Sequence, residues 1–443
     1  MPIIKPFSGT YYNPDHISDL SAVVAPPYDV ISTTDREKLL QKDPHNIIRL
    51  ILGKSAQEKG KPRQDEEYRQ AATTLAAWRE KAILVADRKP ALYYLEEEFT
   101  ILGITYCRKG FIGLLQLTGL PHNAVLPHEK TMSGPKEDRL KLMTHCQANF
   151  SQILTLYDDP DFIVERELQQ HRETELPFID LSGHEGIDRR LWQVTDPAAI
   201  SRIQAVLAPQ SLFIADGHHR FETAMQYRQL RLQQEPRADG REPYNYVMVY
   251  CSNTASSDLA ILPTHRQVSG YPKLDPASFI EKAGKLFQLT PLELQERSPE
   301  AMAKTLLDTL KTEQQGTRLV AVVGNRPDCY LLSLTPEKRA SLMENLPAAL
   351  ASLDVSVLHH LLFGQALQIS AADMETQRYT SFTQDAAAAV ASVMGGENQL
   401  AVLLRPTAIE QVKQVAAAGE KMPQKSTFFY PKLVTGLLLY LFS

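Results

Sequence analysis

The stretch from Ser211 to Ala224 constrains this chain more than any other. An apolar run, Ser211 to Ala215, stops at Asp216-Gly217; His218, His219, Arg220 and Glu222 follow, and an amphipathic pattern begins. This order predicts a strand that stops, turns and feeds directly into a helix. Asp216 is a good N-cap residue, and Gly217 lets a backbone approach closely. Such a junction aims backbone N–H groups and the positive end of a helix at one point, where anions bind. His218 and His219 fall in the exposed first turn, Arg220 is suited to a bidentate clamp on phosphate, and Phe221 and Met225 fall on the core-facing side.

Asp216, His218 and His219 are also metal-ligand types. Adjacent helical side chains point ~100° apart, so two neighbouring histidines converge poorly on one ion. No metal site is expected from the protein alone; Mg²⁺ carried by a nucleotide, with Glu129 or Asp216 beside it, is the favoured metal reading. Four further segments bear on chemistry. His128-Glu129-Lys130-Thr131 lies in a loop bounded by Pro127 and Gly134-Pro135, ahead of a helix expected from about Lys136 to His145. There Glu129 is a candidate general base, and His128, Lys136 and Arg139 are candidate phosphate contacts. Thr264-His265-Arg266 follows an apolar strand and resembles another anion contact. Lys425 with Ser426 and Thr427 is a candidate to close on phosphate, although the aromatic run after it reads equally as packing. Asp354 with His359-His360 sits on an apolar helix and reads as structural. Gly53-Lys54-Ser55 has the last letters of a P-loop but lacks the earlier glycine, where Ile48 stands.

At 443 residues the chain is expected to hold two or three domains. Its net charge of −5 gives no global electrostatic case for nucleic acid. No apolar run approaches the ~20 residues of a membrane helix, and Met1 to Phe7 lacks a signal-peptide core. The four cysteines are far apart, with no C-x-x-C pair, which fits a reducing compartment. A cytoplasmic protein is expected, with no membrane partner; a homodimer is one assembly the sequence allows.

Short strands alternate with neighbouring helices throughout. Ala91–Phe99, Ile101–Cys107 and Gly110–Leu117 read as strands, Glu66 to Glu80 as an amphipathic helix, and Pro26-Pro27 as an extended loop. The fold class is mixed α/β (α+β). After Gly270 the texture shifts to long amphipathic stretches, so the expected division is 1–270 and 271–443, the second an α/β domain whose last strand or loop returns to the site.

Six ordered segments carry a family resemblance: Ala25-Pro26-Pro27-Tyr28-Asp29-Val30, His128-Glu129, Lys136-Glu137-Asp138-Arg139-Leu140, Ala215-Asp216-Gly217-His218-His219-Arg220, Leu262-Pro263-Thr264-His265-Arg266 and Met422-Pro423-Gln424-Lys425-Ser426-Thr427. Through them the chain resembles the bacterial and archaeal family labelled domain of unknown function 1015. The Asp216–Arg220 segment is also similar to the signature of free serine kinases of the ParB/sulfiredoxin-like superfamily. That resemblance implies a nucleotide-binding core in which Gly217, His218, His219 and Arg220 hold phosphate. It also implies that Asp216 orients the acceptor hydroxyl or a metal, and that an earlier glutamate, here Glu129, assists catalysis. The implied activity is transfer of a phosphoryl group from ATP or ADP, with Mg²⁺, to a small hydroxylated metabolite, L-serine foremost. A non-catalytic nucleotide-binding regulator and a metal-dependent phosphoester hydrolase are the other readings.

Overall fold

The computed structural model describes residues 1–53, 64–101, 103–119, 124–129, 133–235, 239–296, 298–311, 316–324 and 328–442. Lys54 and Ser55 of the incomplete P-loop, and Lys130 and Thr131 of the His-Glu loop, lie outside the described residues. The fold is mixed α/β, and the chain divides into two compact units. One comprises residues 1–127, 131–260 and 431–443, the other 128–130 and 261–430. No described helix is long and apolar enough to cross a membrane.

The first unit is built on a mixed sheet. Its described strands run in the order Val125–Leu126, Leu212–Asp216, Ile153–Tyr157, Tyr246–Asn253, Ile104–Gln116, Leu92–Ile101, Ile187–Val194, Ile179–His184, with Ile4–Lys5 also pairing with Ile104–Gln116. Tyr246–Asn253 is buried along its whole length because it pairs on both edges, parallel to Ile153–Tyr157 and antiparallel to Ile104–Gln116. The helices Ile163–Thr174 and Pro197–Leu207 cover the sheet through Val164, Leu168, Ala199 and Ile203, all in one core with Ile153, Ile214 and Val249.

Two expected strands, Ile101–Cys107 and Gly110–Leu117, are one strand, Ile104–Gln116. Gly110 marks a close approach rather than a turn: a Cβ there would lie 2.3 Å from the Cys251 carbonyl oxygen and 2.7 Å from the Tyr250 ring. The reversal sits earlier, where Gly103 adopts φ +80°. In mid-sheet the fully buried carboxylate of Glu97 bridges two fully buried guanidinium groups. Arg108 Nε donates to Oε2 at 2.9 Å and Arg189 Nε donates to Oε1 at 3.1 Å.

The second unit is an antiparallel sheet in the order Gln288–Leu292, Asp328–Leu334, Thr317–Val323, Leu400–Leu403, His265–Val268, Thr380–Thr383. Leu319, Ala321 and Val323 point into one core and Val320 and Val322 into another, so period-2 alternation reads as a continuous apolar run when both faces are covered. The segment carrying His359 and His360 is a π-helix, Leu358–Ala366, rather than an ordinary α-helix.

Candidate functional site

The predicted junction is a strand, Leu212–Asp216, followed at once by a helix of 17 residues, His218–Gln234. Strict alternation would place Asp216 on the same face as the buried Leu212 and Ile214. A bulge prevents this. Ile214 pairs with Thr155 and Asp216 with Leu154, so Ala215 has no partner residue and the strand end is re-aimed. Gly217 then turns the chain at φ +94°, a left-handed conformation that disfavours any residue with a Cβ.

Asp216 was expected to cap the helix; the structure assigns the N-cap position to Gly217, and no side chain caps it. The reason is competition for the carboxylate. One oxygen of Asp216 accepts from Arg220, the other from Lys432. Burial alone would raise its pKa, but the charges of Lys432 and Arg220 outweigh that and hold the carboxyl well below the usual range. Arg220 also donates to the Gln152 carbonyl, and its Nε lies 2.9 Å from where a Cβ on Gly217 would stand. The three charged side chains are partly open to solvent, at 16% for Asp216, 12% for Arg220 and 18% for Lys432.

His218 was expected in an exposed first turn, yet it is only 6% exposed; His219 is half-buried. Phe221 and Met225 pack against the sheet core as expected. Two cations share one carboxylate at a helix N-terminus, whose dipole already carries ~0.5 of a positive charge. Such an end favours anions, and the arrangement brings two cationic side chains to it.

The helix Ser133–Cys146 carries two more predicted cations of this unit. Lys136 Nζ donates to Glu222 Oε2 at 2.9 Å. Arg139 is buried: its Nε donates to Asp138 at 2.8 Å, one NH group reaches the Ile51 carbonyl at 2.9 Å, and its guanidinium lies 4.2 Å over the Tyr28 ring. Burial pushes the Tyr28 phenol up to about 12, with Arg139 pulling the other way. Both cations expected on phosphate thus hold carboxylates of their own.

The remaining candidates lie in the second unit. His128 is fully buried, and its Nε2 is hydrogen bonded to Thr427 Oγ1 at 3.1 Å, while Thr427 donates to Glu129 Oε1 at 3.3 Å. Because the threonine proton goes to Glu129, the imidazole Nε2 is the donor to Thr427.

Thr264, His265 and Arg266 were read as an anion contact. They are 4%, 1% and 0% exposed, and the guanidinium of Arg266 donates to the carbonyls of Thr264, Gln424 and Lys425 at 2.6, 3.2 and 3.0 Å. Arg266 is therefore a clamp on the 424–425 turn, where Lys425 adopts φ +56°. The Lys425 side chain is exposed. Burial and the neighbouring Arg266 push His265 down to about 4, and its Nδ1 accepts from the Leu404 N–H at 3.2 Å.

Among the described residues no group of three or more His, Cys, Asp or Glu side chains is placed to hold a metal ion. Lys432 and Tyr28 are the functional candidates that sequence reasoning left unassigned.

The family model described as "Protein of unknown function (DUF1015)" matches residues 4–356. None of the curated proteins matches the chain. Among solved structures, a free serine kinase in complex with AMP has 13% identity and a TM-score of 0.34, over 72% of this chain and 87% of that one. A conserved hypothetical protein from Pyrococcus furiosus has 12% identity and a TM-score of 0.33, over 72% and 91%. SbnI with a C-terminal truncation, from Staphylococcus aureus, has 10% identity and a TM-score of 0.35, over 74% and 87%.

Proposed function

We propose that this chain, which belongs to the DUF1015 family, binds a nucleotide polyphosphate at the Asp216–Arg220 junction and transfers a phosphoryl group from it to a small hydroxylated metabolite. One observation carries the reading: Arg220 and Lys432 converge on the single carboxylate of Asp216 at an uncapped helix N-terminus, with solvent access to all three. Phosphoryl transfer asks for positioning and charge neutralisation rather than covalent chemistry from the protein.

In this scheme the phosphates lie against the N-terminus of the 218–234 helix, with Arg220, Lys432 and His219 neutralising them. The acceptor oxygen attacks the terminal phosphorus. A new P–O bond forms, the bond from that phosphorus to the bridging oxygen breaks, and the nucleotide leaves with the electron pair. Asp216, held ionised by its neighbours, orients the acceptor O–H, and the proton is released to water. His218, enclosed beside Asp216, adds to the field that keeps the carboxyl ionised. Both oxygens of Asp216 already hold cations, so the carboxylate is not poised as a magnesium ligand, and no step is assigned to the metal.

The test is calorimetric titration with ATP, ADP and AMP, followed by ³¹P NMR of reactions containing a panel of small alcohols that includes L-serine. Binding of ATP or ADP and a new phosphate-ester signal, both lost in Arg220→Ala, are expected. Absence of nucleotide binding overturns the proposal; binding without turnover on any acceptor replaces the kinase with a nucleotide-responsive regulator.

A further inference from the structure

Three segments of the first unit that are far apart in sequence border one crevice: Tyr28 from the Pro26-Pro27 loop, Arg139 and Met143 from the 133–146 helix, and Arg220 and Thr223 from the 218–234 helix, with Phe150 beside them. The two helices leave unfilled space there of about 50 Å³. The crevice is partly open to solvent, and ~10–15 Å³ of such space holds one water-sized group. The crevice therefore takes a body of roughly four non-hydrogen atoms.

Its chemistry is selective. Among the described residues that line it there is no carboxylate and no imidazole. The two guanidinium groups already hold Asp138 and Asp216. An ammonium group in the crevice would face the two guanidinium groups of the lining, and like charges in a partly enclosed site repel. One lining group is left over: Thr223 is fully buried, and its Oγ1 has no hydrogen-bond partner. A buried hydroxyl without a partner is unfavourable, and a ligand oxygen bonded to it would remove that penalty. Thr223 lies three residues after Arg220 on the helix, and both line the crevice.

Resting on the phosphotransfer reading above, we infer that this crevice is the acceptor subsite. Its acceptor class is an uncharged short-chain alcohol with a second oxygen, one oxygen bonded to Thr223 and the other presented to Asp216 and Arg220. A zwitterionic amino acid such as L-serine does not fit this lining.

The experiment compares 1,3-propanediol, 1-propanol and L-serine as acceptors with ATP, by ³¹P NMR, on wild type and Thr223→Val. ATP affinity is measured by calorimetry on the same samples. Expected are a phosphate ester of the diol, a kcat/KM for it about tenfold above that of 1-propanol, and no ester of L-serine, the tenfold being one hydrogen bond. Thr223→Val should remove the preference for the diol while leaving ATP affinity unchanged. Met143→Trp, which fills the crevice, should abolish alcohol phosphorylation with ATP still bound. ATP binding with L-serine as the better acceptor, or a diol preference that survives Thr223→Val, overturns the inference and leaves the phosphotransfer reading standing. Loss of ATP binding in the wild type overturns both.

Discussion

Replacing Lys432 by methionine keeps an unbranched, apolar stem but removes the charge, so it isolates what that charge does at the junction. At contact range, ~4 Å, two unit charges in an effective dielectric of about 20 attract by about 4 kcal/mol. Desolvation of the partly enclosed pair and the lost freedom of the lysine chain offset about half of this, leaving a destabilisation of about 2 kcal/mol at pH 7. The sign with pH follows from linkage. The folded Asp216 carboxyl is held below its unfolded value, so its contribution is present above the unfolded value near ~4 and is lost as pH falls through the folded one. Lys432→Met raises the folded value. The gap between wild type and variant is therefore full at pH 7 and shrinks below about pH 4.

Urea unfolding followed by tryptophan fluorescence reads this directly, because both tryptophans, Trp78 and Trp192, belong to the first unit. Loss of one charge-assisted contact to phosphate weakens ATP binding by about 10- to 100-fold, from ~1.5–3 kcal/mol per contact. An ATP affinity unchanged in Lys432→Met, or a stability gap that grows on acidification, refutes the reasoning.

Gly217→Ala forces a Cβ into φ +94° within 2.9 Å of the Arg220 guanidinium, so it is expected to cost about 1–3 kcal/mol and to weaken nucleotide binding by displacing Arg220; thermal melts with and without ATP check it. Glu97→Ala strands two fully buried guanidinium groups and is expected to destabilise the first unit by about 3–5 kcal/mol in urea unfolding, a far larger loss than at an exposed pair. In the second unit His265 is held neutral down to about 4, below its unfolded value near ~6.5. The His265 share of stability there should fall by about 3 kcal/mol as pH drops from 6.5 to 4, and His359, pushed down to about 3 by burial, adds a further loss in the same direction. Hydrogen exchange of the Thr317–Val323 amides across that window measures it, and His265→Gln should flatten the slope.

The strand–turn–helix at Asp216 was legible because every cue for it is local: an apolar run, Asp-Gly, then helical spacing. What the carboxylate does was not legible. Its second partner, Lys432, lies 216 residues away, and the bulge that frees it from the core depends on pairing with Leu154 and Thr155. The same limit explains Gly110, read as the first residue of a second strand although one strand runs through it. Its smallness answers the Cys251 backbone on a neighbouring strand, which no window around residue 110 contains. Burial decided His218, Arg139 and Arg266, whose side chains look solvent-facing by type. The π-helix at His359 has no period-based signal in a short apolar run.

Arg220 and Arg266 look alike in sequence, each following histidine near a strand end, yet the fold uses them differently. Arg266 gives its N–H groups to three carbonyls and is sealed, so its charge serves the turn it holds. Arg220 shares one carboxylate with a second cation. That ratio alone does not mark a site, because Glu97 also serves two arginines. The difference is access and context. Side chains around Glu97 are 0–1% exposed and lie in mid-sheet, whereas those around Asp216 are 12–18% exposed and stand at the start of a helix of 17 residues. A sealed cationic pair cannot meet a ligand; an open one at a helix N-terminus can be reached by an arriving anion. The two triads thus predict different responses to a polyphosphate: added ATP should raise the unfolding midpoint of a Glu97→Gln variant by as much as it raises that of wild type, and that of Lys432→Met by clearly less.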